Sequence, residues 1–191
     1  MPGFKNKPQG PIFFWKEWDD YTGWLCQWYY HPFHDDEIPE ILYYTAEHYM
    51  MYQKAKLFRD FEIADEILRD KSPRWAKYLG RRVRHFDETV WLAKREAIML
   101  KGNMLKFSSP ILPQLGAAGS SVQPPVEGSL RDMLLLTRDA ELVEASPFDR
   151  VWGVGFRAEE AEVNRSQWGL NLLGKALMKV RRILREQREM M

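Results

Sequence analysis

A chain of 191 residues has the length of one domain with a tail, and its 45% hydrophobic and 14% aromatic content offsets the entropy of folding, which excludes an intrinsically disordered chain. The 28 basic and 27 acidic residues leave a net charge of +1, against general nucleic-acid binding, which takes a large basic excess. No apolar run approaches the roughly 18 residues of a membrane span, no h-region follows the N-terminal lysines, and the single cysteine, Cys26, excludes an internal disulfide; together these predict a soluble cytoplasmic domain.

Residues 1–11 hold Pro2, Pro8 and Pro11 with Gly3 and Gly10 and predict a flexible arm. Ile12 to Trp18 is apolar and aromatic between turn residues, the pattern of a short strand. From Tyr21 to Tyr44 the chain is dense in Trp and Tyr and broken by Pro32 and Pro39; it reads as irregular, with at most a strand near Ile41 to Tyr44. The clearest helix opens at Thr45, a capping residue, with Glu47 at the positive end of the helix dipole. Met50, Leu57, Phe61, Ala64 and Leu68 carry the helical period to a stop at 70–73. Ser72 and Pro73 are a cap and first position for a short second helix, and Gly80 is its stop. A third helix starts at Asp87 and carries Val90, Trp91, Ala97, Ile98 and Leu105, with Gly102 as a weak point.

Positions 108–128 are rich in Ser, Gly and Pro and predict a variable loop insertion inside a domain spanning 12–188. Ser129 to Thr137 reads as a helix, Glu141 to Ala145 as an extended piece, and 146–156 as a turn-rich loop. A last helix is predicted from about Ser166 to about Arg188, with Leu170, Leu173, Leu177, Val180 and Leu184 as its buried stripe. No internal repeat is present. The expected fold is mainly α with a few short strands, in one compact domain.

Residues seven apart on a helix return to nearly the same direction, so Glu47 and Lys54 share a stripe that overlaps the apolar arc of Met50, Phe58 and Phe61. An acid and an amine on an apolar wall have perturbed pKa values and suit acid/base or Schiff-base chemistry. The alternative is a helix flank from which both side chains reach water. The loop carrying Asp149, Trp152 and Gly153-Val154-Gly155 lets backbone amides approach a ligand, or is an ordinary turn, since the glycines lack a dinucleotide fingerprint. On the last helix Asn171, Gly174 and Met178 line a face where Asn171 can hold a hydroxyl or a base edge, or where Gly174 serves helix packing. Cys26, His31, His34 and His48 match no standard zinc spacing, so no metal is expected. The run Arg181, Arg182, Arg185 and Arg188, diluted by Glu186 and Glu189, reads as a solvated face.

Four blocks in this order are similar to the NADAR (YbiA-like) family over nearly the whole chain. They are TAEHYMMYQKA from Thr45, then Lys106-Phe107, then LLLT from Leu134 with LVEASPFDRVWGVG from Leu142, and WGLNLLGKALM from Trp168. The version here resembles a fungal-type branch of that family. The resemblance implies a compact, largely helical fold with short strands and N-glycosidase activity. Members cleave ribose 5-phosphate from the amine of early riboflavin-pathway pyrimidines, or remove ADP-ribose from a guanine base; a non-catalytic module holding ADP-ribose or NAD is the alternative. Carried over by position, it implies Glu47, Lys54, Asp149, Trp152 and Asn171 in the cleft. Trp91 and Gly153 are further expected to bind substrate. Arg81 and Arg82 are expected at the phosphate. In this reading Glu47 transfers protons and Lys54 is a nucleophile or an electrostatic stabiliser. Asp149 holds ribose or water, Trp152 stacks on the base, and Asn171 fixes a hydroxyl. The expected partner is a small-molecule N-riboside or ADP-ribosyl substrate, with no metal or other cofactor. The family's Leu-Ser-Asn is replaced by Leu25-Cys26-Gln27, which implies a shifted substrate preference.

Overall fold

The computed structural model describes residues 10–110 and 129–190. Of the expected arm, 1–9 lie outside the described residues, as do 111–128 of the expected insertion. The elements in chain order are β1 (Ile12–Phe14), a 3-10 turn (Gly23–Leu25), β2 (Phe33–His34), β3 (Leu42–Tyr43), α1 (Ala46–Leu57), α2 (Phe61–Arg69), α3 (Pro73–Gly80), α4 (Glu88–Ser108), α5 (Leu130–Leu136), β4 (Leu142–Glu144), α6 (Ala158–Ala161), a second 3-10 segment (Glu162–Gln167) and α7 (Leu172–Glu189). The fold is mainly α with a few short strands. The described residues divide into two units, 10–26 with 129–190, and 27–110.

In the first unit β1 and β4 pair in parallel, Ile12 opposite Leu142 and Phe14 opposite Glu144. The strand predicted as far as Trp18 stops at Phe14, where the carbonyl of Phe14 takes the Ala145 amide at 2.8 Å beyond the end of β4. Leu142 and Val143 are fully buried, and Leu173, Leu177, Val180 and Leu184 form the buried stripe of α7 as the periodicity predicts. Leu170 does not belong to it; it is exposed. The helix begins at Leu172 rather than near Ser166, because Gly169, Leu170 and Asn171 donate their amides to the carbonyls of Val154, Arg150 and Gly153. That ladder holds the segment out of helical conformation, and Asn171 turns it into α7 at φ 49°. The predicted solvated Arg face also needs correction. Arg181 is buried, and its Nη1 donates to Thr137 Oγ1 at 2.7 Å.

Gly174 permits the approach of α7 to β4. A Cβ there would lie 2.1 Å from the Leu142 carbonyl oxygen and 2.6 Å from Asn171 Oδ1. Backbone cannot give way as a flexible side chain does, so Gly174→Ala is expected to lower stability by about 2 kcal/mol, read as a shift of the urea midpoint. A midpoint equal to the parent's would mean the helix slides off the strand at no cost.

In the second unit α1 packs against α2, α3 and α4, so it is buried nearly all round, from Ala46 to Tyr52 and again at Ala55. The aromatic-rich approach to it contains one strand more than predicted. Phe33–His34 pairs antiparallel with Leu42–Tyr43, a ladder too short to leave an alternating pattern. Phe33, Tyr43, Tyr49 and Tyr52 pack ring to ring at centroid distances of 5.1 to 5.7 Å for the three pairs that include Tyr43.

The single helix predicted from Thr45 to Asp70 is two. Arg59 adopts φ 59°, and the buried Asp60 caps α2 by accepting from the Ile63 amide. Asp60 also accepts from the amide and the guanidinium of Arg84, and this partner holds its carboxyl down at about 2. Phe61, placed in the stripe by its spacing, is 60% exposed because it opens the new helix on the solvent side. The cap and first turn of α3 are as expected: Ser72 accepts from Trp75 N with Pro73 leading the helix. In α4 the buried residues are Met99, Gly102, Asn103, Lys106 and Phe107, whereas Val90 and Ala97 of the predicted stripe are exposed. Gly102 is a packing site and no weak point, since a Cβ would lie 2.5 Å from the Tyr49 ring.

Candidate active site

The first turn of α1 is fixed by Thr45 and His48. Thr45 Oγ1 accepts the His48 amide at 3.4 Å and lies 2.8 Å from His48 Nδ1, while Nε2 is 2.9 Å from the Asp70 carbonyl. Burial lowers the imidazole to about 4, so at neutral pH it is uncharged. Nε2–H then donates to Asp70, and Nδ1 accepts from the threonine hydroxyl. Between these two residues stands Glu47, 4% exposed, its amide donating to the Gln27 carbonyl at 3.1 Å. The carboxyl is thus inside the protein, not at a solvated flank.

Two turns further on, Lys54 is part-buried. Its Nζ donates to the Gly80 carbonyl at the end of α3 at 2.8 Å and lies 4.3 Å from the Phe86 ring centroid and 5.4 Å from that of Trp91. Burial lowers its pKa, and the Arg81 guanidinium pushes in the same direction. Phe86 is held edge-on by Phe58 at 5.2 Å. Lys54, Arg81 and Trp91 are therefore brought together as expected residues, with Phe86 and the Gly80 carbonyl as additions that no spacing signalled. Phe86 follows a left-handed His85 (φ 57°), a backbone turn that aims its ring and leaves no pattern in sequence. Arg82 is exposed and donates to the Tyr78 hydroxyl at 3.0 Å; that ring stacks on Trp75 at 4.8 Å.

Asp149, Trp152, Gly153 and Asn171 belong to the first unit, around one loop. Asp149 Oδ1 accepts the amides of Val151 at 2.9 Å and Trp152 at 2.8 Å, an Asx turn that shapes the loop. Gly153 is required where the loop crosses β4, since a Cβ would lie 2.7 Å from the Glu144 carbonyl. Trp152 is part-buried. Asn171 is buried, with Oδ1 accepting from Glu144 N at 3.1 Å and Nδ2 donating to the Leu142 carbonyl at 3.0 Å. The amide thus clips the loop and α7 to the edge of β4.

Among the described residues no group of three or more His, Cys, Asp or Glu is placed to hold a metal ion. His34 pairs with the Pro39 carbonyl, and burial beside Lys106 lowers His31 to about 4. No helix among the described residues is long and apolar enough to cross a membrane.

Comparison with known proteins agrees with the motif blocks. The chain is 41% identical over 141 residues to N-glycosidase R617 of Acanthamoeba polyphaga mimivirus, covering 73% of each, and the name N-glycosidase recurs among bacterial relatives. It is 32% identical over 184 residues to a maize protein named riboflavin biosynthesis protein PYRR, chloroplastic, covering 89% of this chain and 24% of that one. The solution structure of Escherichia coli YbiA superposes with a TM-score of 0.68 at 29% identity, covering 94% of this chain and 87% of that one. The family described as the NADAR domain matches residues 13–185, and the chain belongs to it.

Proposed function

We propose that this protein is a hydrolase of N-glycosyl bonds that cleaves C1–N between ribose 5-phosphate and an amino-pyrimidine of the kind that opens riboflavin synthesis. The observation that carries the reading is the environment of Lys54. Its amine sits under two aromatic rings beside a cation, so a larger share of it is neutral at working pH than for an exposed lysine. Its contact to Gly80 uses one N–H and leaves the lone pair for a carbonyl carbon. The relatives named N-glycosidase support the bond type, and the maize relative's name supports the substrate class.

An N-riboside of an exocyclic amine breaks when the leaving nitrogen is protonated and positive charge develops at C1. Glu47, buried at the start of α1, is the group we assign to that proton. As the sugar ring opens, its oxygen takes up a proton and the nitrogen lone pair forms the C1 imine. The Lys54 amine adds to C1, and the pyrimidine nitrogen, protonated by Glu47, departs as the amine to leave the lysine imine. Water then hydrolyses the lysine imine, returning the free amine and ribose 5-phosphate. Arg81, exposed at the end of α3 close enough to Lys54 to depress its pKa, is assigned to the phosphate together with Arg82, and Trp91 to the apolar wall.

The test is incubation with the ribosylamino-pyrimidine 5-phosphate and assay of released ribose 5-phosphate. Glu47→Gln keeps size and polarity while removing the proton donor, so kcat is expected to fall about 100-fold with the melting temperature little changed. Unaltered turnover in that variant removes Glu47 from the mechanism. No release by the parent protein removes the proposed substrate.

A further inference from the structure

We infer that the side-chain carbonyls of Gln27 and Asn103 form the subsite that receives the amino groups of the departing base. Gln27 is 8% exposed and Asn103 is wholly buried. Their amide nitrogens both turn to Met99: Gln27 Nε2 lies 2.7 Å from its sulfur, and Asn103 Nδ2 lies 2.9 Å from its carbonyl and 3.2 Å from its sulfur. Neither Gln27 Oε1 nor Asn103 Oδ1 meets a hydrogen-bond donor among the described residues. Buried acceptors without donors are uncommon and costly, and an apolar side chain of similar size at either position would remove the cost. Two of them flanking one methionine are an acceptor pair built for a donor.

Their position identifies that donor. The Gln27 backbone carbonyl holds the Glu47 amide, so the residue that carries one of the two acceptors is tied to the residue assigned to protonate the leaving nitrogen; the inference rests on that reading. A phosphate offers oxygens and is repelled by carbonyls, whereas an amino-substituted pyrimidine offers N–H groups at its edge. A sugar hydroxyl is the other available donor, and the experiment separates the two.

Calorimetry on the full chain with 2,4,5-triaminopyrimidine and, separately, with ribose 5-phosphate compares the parent with Asn103→Leu and Gln27→Met. The expected result is about tenfold weaker binding of the triaminopyrimidine in each variant, with ribose 5-phosphate affinity within twofold of the parent and no loss of melting temperature. The parent alone gives a second readout: the side-chain amide resonances of Gln27 and Asn103 shift on adding triaminopyrimidine and stay still with ribose 5-phosphate. The inference is overturned by shifts with ribose 5-phosphate instead, by equal weakening of both ligands, or by variants that gain stability and bind both as the parent does, which would leave only a buried water at the pair. These readouts need no turnover. Failure of the parent to cleave the N-riboside therefore counts against the proposed function, and unshifted amides in the presence of the base count against the subsite.

Discussion

Lys54→Met is expected to lower turnover of the N-riboside about 1,000-fold or more, because it removes the only group assigned to bond with C1. Methionine is close to the lysine stem in length and places an apolar end near the Phe86 and Trp91 rings that the amine faces. The fold then loses little beyond one hydrogen bond to the Gly80 carbonyl, about 1 kcal/mol. Lys54→Arg separates two roles. It keeps a cation and a donor for Gly80 but forms no imine, so a nucleophilic lysine makes this variant as slow as Lys54→Met, while a purely electrostatic lysine leaves it well above that floor. Borohydride added during turnover adds the mass of reduced ribose 5-phosphate to the parent and to neither variant. The pH profile carries the same signature: burial and Arg81 both lower the Lys54 pKa, so activity rises with pH below the ordinary lysine range, and Arg81→Ala moves that rise upward. Lys54→Met turning over at the parent rate ends the mechanism.

The residues of this site were readable one at a time and not as a group. The TAEHYMMYQKA run announces α1 and places Glu47 and Lys54 on it through cap, dipole and period, because those signals are local. What surrounds Lys54 is set by how α3 ends and α4 begins. The Gly80 carbonyl is a backbone group, and the Phe86 ring is aimed by the left-handed His85. The break between α1 and α2 escaped for a related reason. It lies at Arg59 and Asp60, with no proline or glycine, and is held by a salt bridge to Arg84, 24 residues away. In α4 the periodicity selected Val90 and Ala97, whereas tertiary packing buries the face of Met99, Asn103 and Lys106, two of them polar. A pattern built on apolar residues passes over such a face. Asn171 is singled out in sequence by its place on the predicted last helix and in the WGLNLLGKALM block. Its structural work, clipping α7 to β4 through both ends of its amide, depends on a strand 27 residues upstream.

Acid is expected to unfold the second unit through its histidines, beginning well above the range of its carboxylates. His48 and His31 are each lowered to about 4, burial being the first cause in both, with Lys106 adding to His31. The unfolded chain takes up a proton on each near pH 6.5, and the folded chain takes it up only near 4. Between those values the unfolded state binds more protons, so stability is complete above about 6.5 and falls as the pH drops towards 4. For His48 the difference amounts to about 3 kcal/mol by pH 4. The direction has a structural cause besides burial. His48 stands in the first turn of α1, where an imidazolium meets the positive end of the helix dipole. That turn also carries Glu47, so the same protonation loosens the footing of the proposed acid. Urea midpoints measured at intervals from pH 7 to 4 should fall steeply for the parent. They should fall about half as far for His48→Gln, which keeps a donor for Asp70 and an acceptor for Thr45 without a titrating ring. A parent midpoint that stays flat down to pH 4, or a His48→Gln slope equal to the parent's, would show that this ring is not held neutral by the fold.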